Sequence, residues 1–361
     1  MKFPIRSPKK SPPMTIRIPA EWEPHECCWM AWAVHREWDK ASAKKIKRAL
    51  SEVAQTVARF EPVRVLAPRG SGLREARTEF AACPNVTVIP APIDDFWMRD
   101  IMPTFALRGK GSTGEVVAID WNFNGWGGTR ERPTRAGDHL AKTAAAIFGV
   151  PRISASFVAE GGALVSDGCG TMIVTRSCLL NPNRNPASRG VHRQRMIETD
   201  LVRFGVRQVI WLEGDPYERI TSGHTDGYVL CAPGRVVLVE GMDDSDIEPP
   251  VWREHDAKLL ENARNVGGRQ FKIHRILAPR QRYCNGDPET FASCYVNAYV
   301  ANGAVISACF GDAERDEMAR RMLAKSFSGR QIVMLRIDAI ANGGGGVHCV
   351  TQSMPAVPSR K

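Results

Sequence analysis

The sequence predicts an α/β fold, built as one domain of repeated units. Three observations carry that expectation. Short β-branched runs alternate with amphipathic stretches along the whole chain. No long linker interrupts the alternation. One segment nearly recurs: Arg64–Arg69 reads RVLAPR and Arg275–Arg280 reads RILAPR. Strand–helix alternation is the mark of α/β architecture. A strand-plus-turn that returns is what a pseudo-symmetric fold leaves in its sequence.

Taken in order, Val63–Leu66, Val86–Ile89, Val116–Asp120, Thr171–Thr175, Gln208–Leu212, Tyr228–Cys231, Val236–Glu240, Cys294–Val300, Ala304–Cys309 and Ile332–Ile337 are predicted strands. Ala41–Arg59 is a predicted helix, because Ile46, Leu50, Val53 and Val57 fall on one face. Asp138–Ile147, Val191–Phe204, Val251–Ala263 and Ala313–Phe327 are further predicted helices. Residues 1–14 are expected to be a disordered basic tail, 15–355 the single domain and 356–361 a short C-terminal tail.

The 361 residues are 43% hydrophobic, enough for a full core. No run of about 18 apolar residues suggests a membrane span. The opening MKFPIRSPKKSPPM lacks the apolar stretch of a signal peptide, so the chain reads as cytoplasmic. Of the +10 formal charge, Lys2, Arg6, Lys9 and Lys10 supply +4 and Arg360 and Lys361 supply +2, which leaves +4 on the body. Without an aromatic-basic stripe, that charge does not point to nucleic acid. Ten cysteines form no CxxC pair, which argues against a structural zinc or iron–sulfur site. Most are expected to be small buried apolar residues.

Four polar clusters sit beside strand-like runs or glycine turns, where functional groups are commonly mounted. The last is Gly343-Gly344-Gly345-Gly346-Val347-His348-Cys349. Four glycines are entropically costly and suit backbone that bends around a ligand, with Cys349 presented as a thiolate nucleophile. His348, next to it on extended backbone, is expected to face away. In Gly223-His224-Thr225-Asp226-Gly227, extended backbone would put His224 and Asp226 on one side, and His224 can move protons near neutral pH. A zinc reading lacks a second nearby histidine. In Asp94-Asp95-Phe96-Trp97-Met98-Arg99-Asp100, Asp100 could join Asp226 in gripping a guanidinium, with the Trp97 indole stacked on the cation. Arg99 is expected to form a structural ion pair; Asp94 and Asp95 are assigned no role, a solvated turn being their plain reading. Glu160, ahead of Gly161-Gly162, could orient His224.

These clusters, in this order, resemble the agmatine deiminase and bacterial peptidylarginine deiminase family. Matching stretches run from Trp22-Glu23-Pro24-His25-Glu26 through Phe123-Asn124-Gly125-Trp126-Gly127-Gly128, Leu180-Asn181-Pro182-Asn183-Arg184-Asn185-Pro186, Tyr295-Val296-Asn297-Ala298-Tyr299, Ala301-Asn302-Gly303 and Phe310-Gly311-Asp312 to Thr351-Gln352. The resemblance implies a pentein-type α/β propeller of five pseudo-symmetric ββαβ units. It implies Cys349 as nucleophile, His224 as acid/base, Asp100 and Asp226 on the guanidinium, Glu160 behind the histidine, and Trp97, Trp126 and Gly346 about the substrate. It implies a small guanidino substrate, no metal and no organic cofactor; a homo-oligomer stays open. The expected reaction releases ammonia, agmatine giving N-carbamoylputrescine. Alternatives are arginine, peptidyl arginine or a guanidino acid as substrate, an amidinotransferase, or a binding protein that has lost catalysis. Two departures bear on substrate. Asp100 is followed by Ile101-Met102-Pro103, and Gly128 by a stretch carrying Arg130, Arg132 and Arg135, which would suit an anionic tail better than a free amine.

Overall fold

The computed structural model describes residues 15–109, 114–128, 139–186, 190–242 and 250–358. Strands β1 (Ile16–Arg17) and β2 (His25–Ala31) open it, and helix α1 (Lys40–Val57) leads to β3 (Val63–Ala67). Helix α2 (Ser71–Glu79) then leads to β4 (Val86–Pro90), and the short α3 (Met98–Ile101) follows. A second unit contains β5 (Thr104–Arg108), β6 (Glu115–Asp120), α4 (Leu140–Phe148) and β7 (Arg152–Ser154). The third has β8 (Val165–Ser166), β9 (Thr171–Thr175), α5 (Arg176–Leu179), α6 (Gly190–Leu201) and β10 (Gln208–Leu212). The fourth has β11 (Val229–Ala232), β12 (Val236–Gly241), α7 (Val251–Asn262) and β13 (Lys272–Leu277). The fifth has β14 (Tyr299–Ala301), β15 (Ala304–Cys309), α8 (Ala313–Ser326) and β16 (Gln331–Arg336), before α9 (Asp338–Ala341) and β17 (Gln352–Pro355).

One pairing rule builds all five sheets. An antiparallel pair is followed by a helical crossover to a third, parallel strand. It holds for β5–β6–β7, β8–β9–β10, β11–β12–β13 and β14–β15–β16. The first sheet obeys it too, but its antiparallel strand is β17, which arrives from the far end of the chain to pair with β2. The molecule is therefore a five-unit pentein-type α/β propeller, closed by its last strand. The RVLAPR and RILAPR segments start in β3 and β13, the crossover strands of the first and fourth units. The recurring hexamer thus marks equivalent positions.

Local rules account for the elements. Ile46, Leu50, Val53 and Val57 of α1 are all buried. Asp39 caps that helix, accepting from the N–H groups of Ala41 at 2.8 Å and Ser42 at 3.0 Å, as a favoured N-cap residue does. The predicted strand Cys294–Val300 is corrected to Tyr299–Ala301. Upstream of it, the N–H groups of Tyr295 and Val296 donate to the buried carboxylate of Glu240 at 3.0 and 3.1 Å. They are spent there and not on a strand ladder. Helix α2 escapes sequence reading because it buries only Ala76, too little for a visible stripe. The basic tail expected over residues 1–14 lies outside the described residues.

Candidate active site

Each connection between successive units carries one part of the site. Asp100 lies on α3, between the first and second units. Glu160 precedes a single-turn helix, Gly161–Ala163, between the second and third. His224 and Asp226 lie between β10 and β11, Asn297 between β13 and β14, and Cys349 between β16 and β17. Pseudo-fivefold closure turns four of these segments onto one cavity of about 470 Å³, while Glu160 lies outside its lining, against His224. Asp100, His224, Asp226, Asn297, Cys349, Trp97 and Trp126 all line it.

The Cys349 thiol is buried. The Asn297 amide donates to its Sγ at 3.2 Å, and Asp226 Oδ2 lies 3.8 Å away. Asp100 accepts from the Trp126 indole N–H at 2.9 Å on Oδ2 and from the Gly162 N–H at 3.1 Å on Oδ1. His224 Nδ1 is 3.9 Å from Asp100 Oδ2 and 4.0 Å from Asp226 Oδ1. Its Nε2 lies 3.4 Å from Glu160 Oε2. Glu160 is itself held by Arg184, whose Nε donates at 2.9 and 3.0 Å to its two oxygens.

Charge follows from these contacts. Burial pushes the Cys349 thiol well above its ordinary value, and the facing carboxylates of Asp226 and Asp100 push it further. Burial alone would lower His224, but Asp100, Cys178 and Glu160 outweigh it and hold the imidazole well above its ordinary value. Burial raises Asp100, with Asp226 and Glu160 adding to it. For Asp226, burial is outweighed by His348 and His224, and its carboxyl sits below the ordinary range. The resting site therefore pairs a neutral thiol with an imidazolium.

Several expectations need correction. His224 and Asp226 are not on extended backbone: His224 precedes a single-turn helix over Thr225–Gly227, and the turn brings the pair together. His348 does not simply face away. The Val347–Val350 backbone is a turn, which aims His348 Nδ1 at Asp226 Oδ2, 2.7 Å away. Asp95 is buried, not a solvated turn, and accepts from the Phe96 N–H at 2.8 Å. Arg99 does pair with Glu21, at 2.9 Å. Gly346 is placed behind the cavity lining, its N–H donating to Asn297 Oδ1 at 3.1 Å. Gly345 lies against Trp97, where an added Cβ would come within 2.4 Å of the ring. Asn297 and Arg184 fall within matched stretches, yet nothing in their spacing marked them. Arg130, Arg132 and Arg135 lie outside the described residues.

Glu160, Cys178 and His224 bring ligand atoms within 4.8 Å of one another. A cation there would compete with the Arg184 guanidinium, which already occupies both oxygens of Glu160. Among the described residues no helix is long and apolar enough to cross a membrane.

Comparison with known proteins agrees with this architecture. The Porphyromonas-type peptidyl-arginine deiminase family matches residues 17–355. An agmatine deiminase of Pseudomonas aeruginosa is 36% identical over 94% of this chain and 96% of its own. A putative agmatine deiminase of Legionella pneumophila is 34% identical over 94% and 95%. The solved structure of Enterococcus faecalis agmatine deiminase superposes with a TM-score of 0.86 at 27% identity, covering 96% of each chain. The chain belongs to the family of the agmatine deiminases and Porphyromonas-type peptidyl-arginine deiminases.

Proposed function

We propose that this chain hydrolyses agmatine to N-carbamoylputrescine and ammonia through a covalent intermediate on Cys349. The observation that carries the reading is the placement of two carboxylates, Asp100 and Asp226, with a thiol and an imidazole on one cavity. The cavity lining further holds Glu37, Asp95, Asp215, Glu218 and Glu289, the last paired with Arg219, against Arg253 and the His224 imidazolium among the described residues. A wall of carboxylates suits a substrate that is cationic at both ends, whatever the net charge of the whole chain.

The guanidinium sits between Asp100 and Asp226 in charge-assisted hydrogen bonds. Its positive charge offsets the carboxylates that disfavour a thiolate, so the Cys349 proton is released to solvent as substrate enters, His224 being already protonated. The thiolate attacks the central carbon and forms a tetrahedral adduct. The His224 imidazolium gives its proton to one terminal nitrogen, and ammonia leaves. An S-alkylthiouronium remains on Cys349. Neutral His224 then takes a proton from water as it adds to that carbon. Collapse expels the Cys349 thiolate and releases the ureido product. Glu160, fixed by Arg184, keeps the His224 ring in place throughout.

The test is ammonia release from agmatine, with the ureido product counted alongside. Equal yields of the two are expected. Cys349→Ser should abolish turnover, because an alkoxide is far less available than a thiolate at neutral pH. His224→Asn should lose roughly a hundred- to ten-thousandfold in rate, the usual worth of general acid–base catalysis. Inert agmatine beside a readily hydrolysed guanidino acid would overturn the substrate assignment. A new guanidine formed on an added amine would make the enzyme a transferase.

A further inference from the structure

His348 lies outside the cavity lining, yet it makes the closest contact to a site carboxylate. Its Nδ1 is 2.7 Å from Asp226 Oδ2 and its Nε2 is 3.2 Å from Glu21 Oε1. Both ring nitrogens are thereby committed, so the ring is not free to take a proton from the thiol. Glu21 is anchored in turn by Arg99, at 2.9 Å, one residue before Asp100. The Arg99 N–H donates to the Cys349 carbonyl at 3.0 Å. One buried network therefore joins three segments of the site.

Asp226 is 3% exposed. Apart from the long contact to Cys349 Sγ, His348 supplies the one hydrogen bond found on its carboxylate among the described residues. A buried carboxylate facing Asp100 and a thiol would tend to take up a proton if left without a donor. With Oδ2 bound to His348, Oδ1 is left on the side of His224.

We propose that His348 is a positioning residue for the guanidinium, which fixes the charge and the direction of Asp226 by clamping its Oδ2. The inference rests on the hydrolase reading above. The groups that face the ring are Asp226 from the turn before β11, Glu21 from the segment before β2 and Arg99 from α3. His25 at the start of β2 acts on Glu21 from behind. Burial and Arg99 would lower the His348 imidazole, but Glu21 and Asp226 raise it above its ordinary value. The same contact holds Asp226 below its ordinary range.

The test measures methylguanidine binding to the Cys349→Ser chain by calorimetry across pH. Binding should fall on the acid side as Asp100, raised by burial, and Asp226, held lower by His348, take up protons. His348→Ala should move that limb to higher pH, with affinity on the limb about tenfold weaker for each unit moved. His348→Asn keeps a donor near the place of Nδ1 and should return the limb toward its original position. Glu21→Gln, which weakens the far clamp, should give a smaller shift of the same sign. It also serves as the readout if the His348 variants do not fold. An unmoved limb in folded His348→Ala, an Asn variant no better than Ala, or an unmoved limb in Glu21→Gln would each overturn the proposal. Failure of the hydrolase reading looks different: the unmodified chain would release no ammonia from agmatine, whatever methylguanidine binding shows.

Discussion

Gly162 sits where three side chains of the site converge on one backbone position. A Cβ built on it would lie 2.6 Å from His224 Nδ1, 3.0 Å from Asp100 Oδ1 and 3.1 Å from Asp226 Oδ1. Its own N–H orients Asp100 at 3.1 Å. A methyl group there must push apart His224, Asp100 and Asp226, the side chains proposed to receive the guanidinium and protonate its leaving nitrogen. Gly162→Ala should therefore lower kcat/KM by about a hundredfold, the cost of a displacement near 1 Å in a reacting geometry. The backbone at Gly162 is not left-handed, so alanine adds no backbone strain, and cooperative melting should persist. Wild-type kcat/KM in this variant would refute the close approach. At this scale the sequence was legible where chemistry selects the residue type. A thiol after a glycine run, a histidine two before an aspartate, and a carboxylate beside Trp97 could all be picked out. Gly162, Asn297 and His348 were not legible in that way. What makes them matter is clearance or a partner far along the chain: Asn297 and Cys349 are 52 positions apart, His348 and Asp226 are 122.

Glu240, on β12, shows how one element shapes another. Its buried carboxylate collects the N–H groups of Tyr295 and Val296, and so shapes the segment that delivers Asn297. Burial outweighs those N–H groups and pushes the Glu240 carboxyl up to about 8. In the folded protein it thus keeps a proton that the unfolded chain gives up near its ordinary 4.5. Its contribution is complete below that value and is lost as pH rises through about 8. Glu240→Gln keeps an acceptor and removes the titration. Denaturant unfolding at a series of pH values should show a flatter stability profile between pH 5 and 8 in the variant. An unchanged slope would mean that Glu240 is not the group responsible. The same contact explains why Cys294–Val300 reads as a strand and is mostly not one: its β-branched and aromatic residues are right, but its backbone donors go to a side chain. By contrast α1 forms close to its predicted place because it carries one stripe of buried residues, and β3, β9, β10 and β15 do so because each holds Val, Ile or Thr in a short run. Strand β2 hides for the opposite reason. Six of its seven residues are buried, but its sequence HECCWMA holds no β-branched residue, so composition does not mark it as a strand.

At the scale of the molecule, the repeated units close into a ring, and the near-repeat of one hexamer was the faint sequence trace of that repetition. Strand β17 completes the first sheet, and a buried cluster pins the first unit to the fifth. Glu61 Oε1 accepts from the Tyr299 hydroxyl at 2.6 Å, and its Oε2 accepts from the Asn302 N–H at 2.7 Å. His25 Nδ1 lies 3.2 Å from Oε1. The His25 N–H and carbonyl bond the Asn302 side chain at 3.0 and 2.9 Å. Asp100 and Cys349 stand on connections at either end of the first unit, so an opened seam is expected to draw them apart. Glu61→Ala leaves a hydroxyl, an N–H and an imidazole without their buried acceptor, a loss of about 3–5 kcal/mol if it resembles breaking other buried charged contacts. If closure is what makes the five units cooperative, the variant should melt earlier but still in one transition. Ammonia release should then disappear along the same curve as secondary structure. If the units were stable on their own, the seam would open first. Activity would then vanish in a separate step at lower temperature, with most of the circular dichroism signal intact. Following activity and ellipticity on one heating ramp separates the two outcomes, and a clear gap between the curves would rule out cooperative closure.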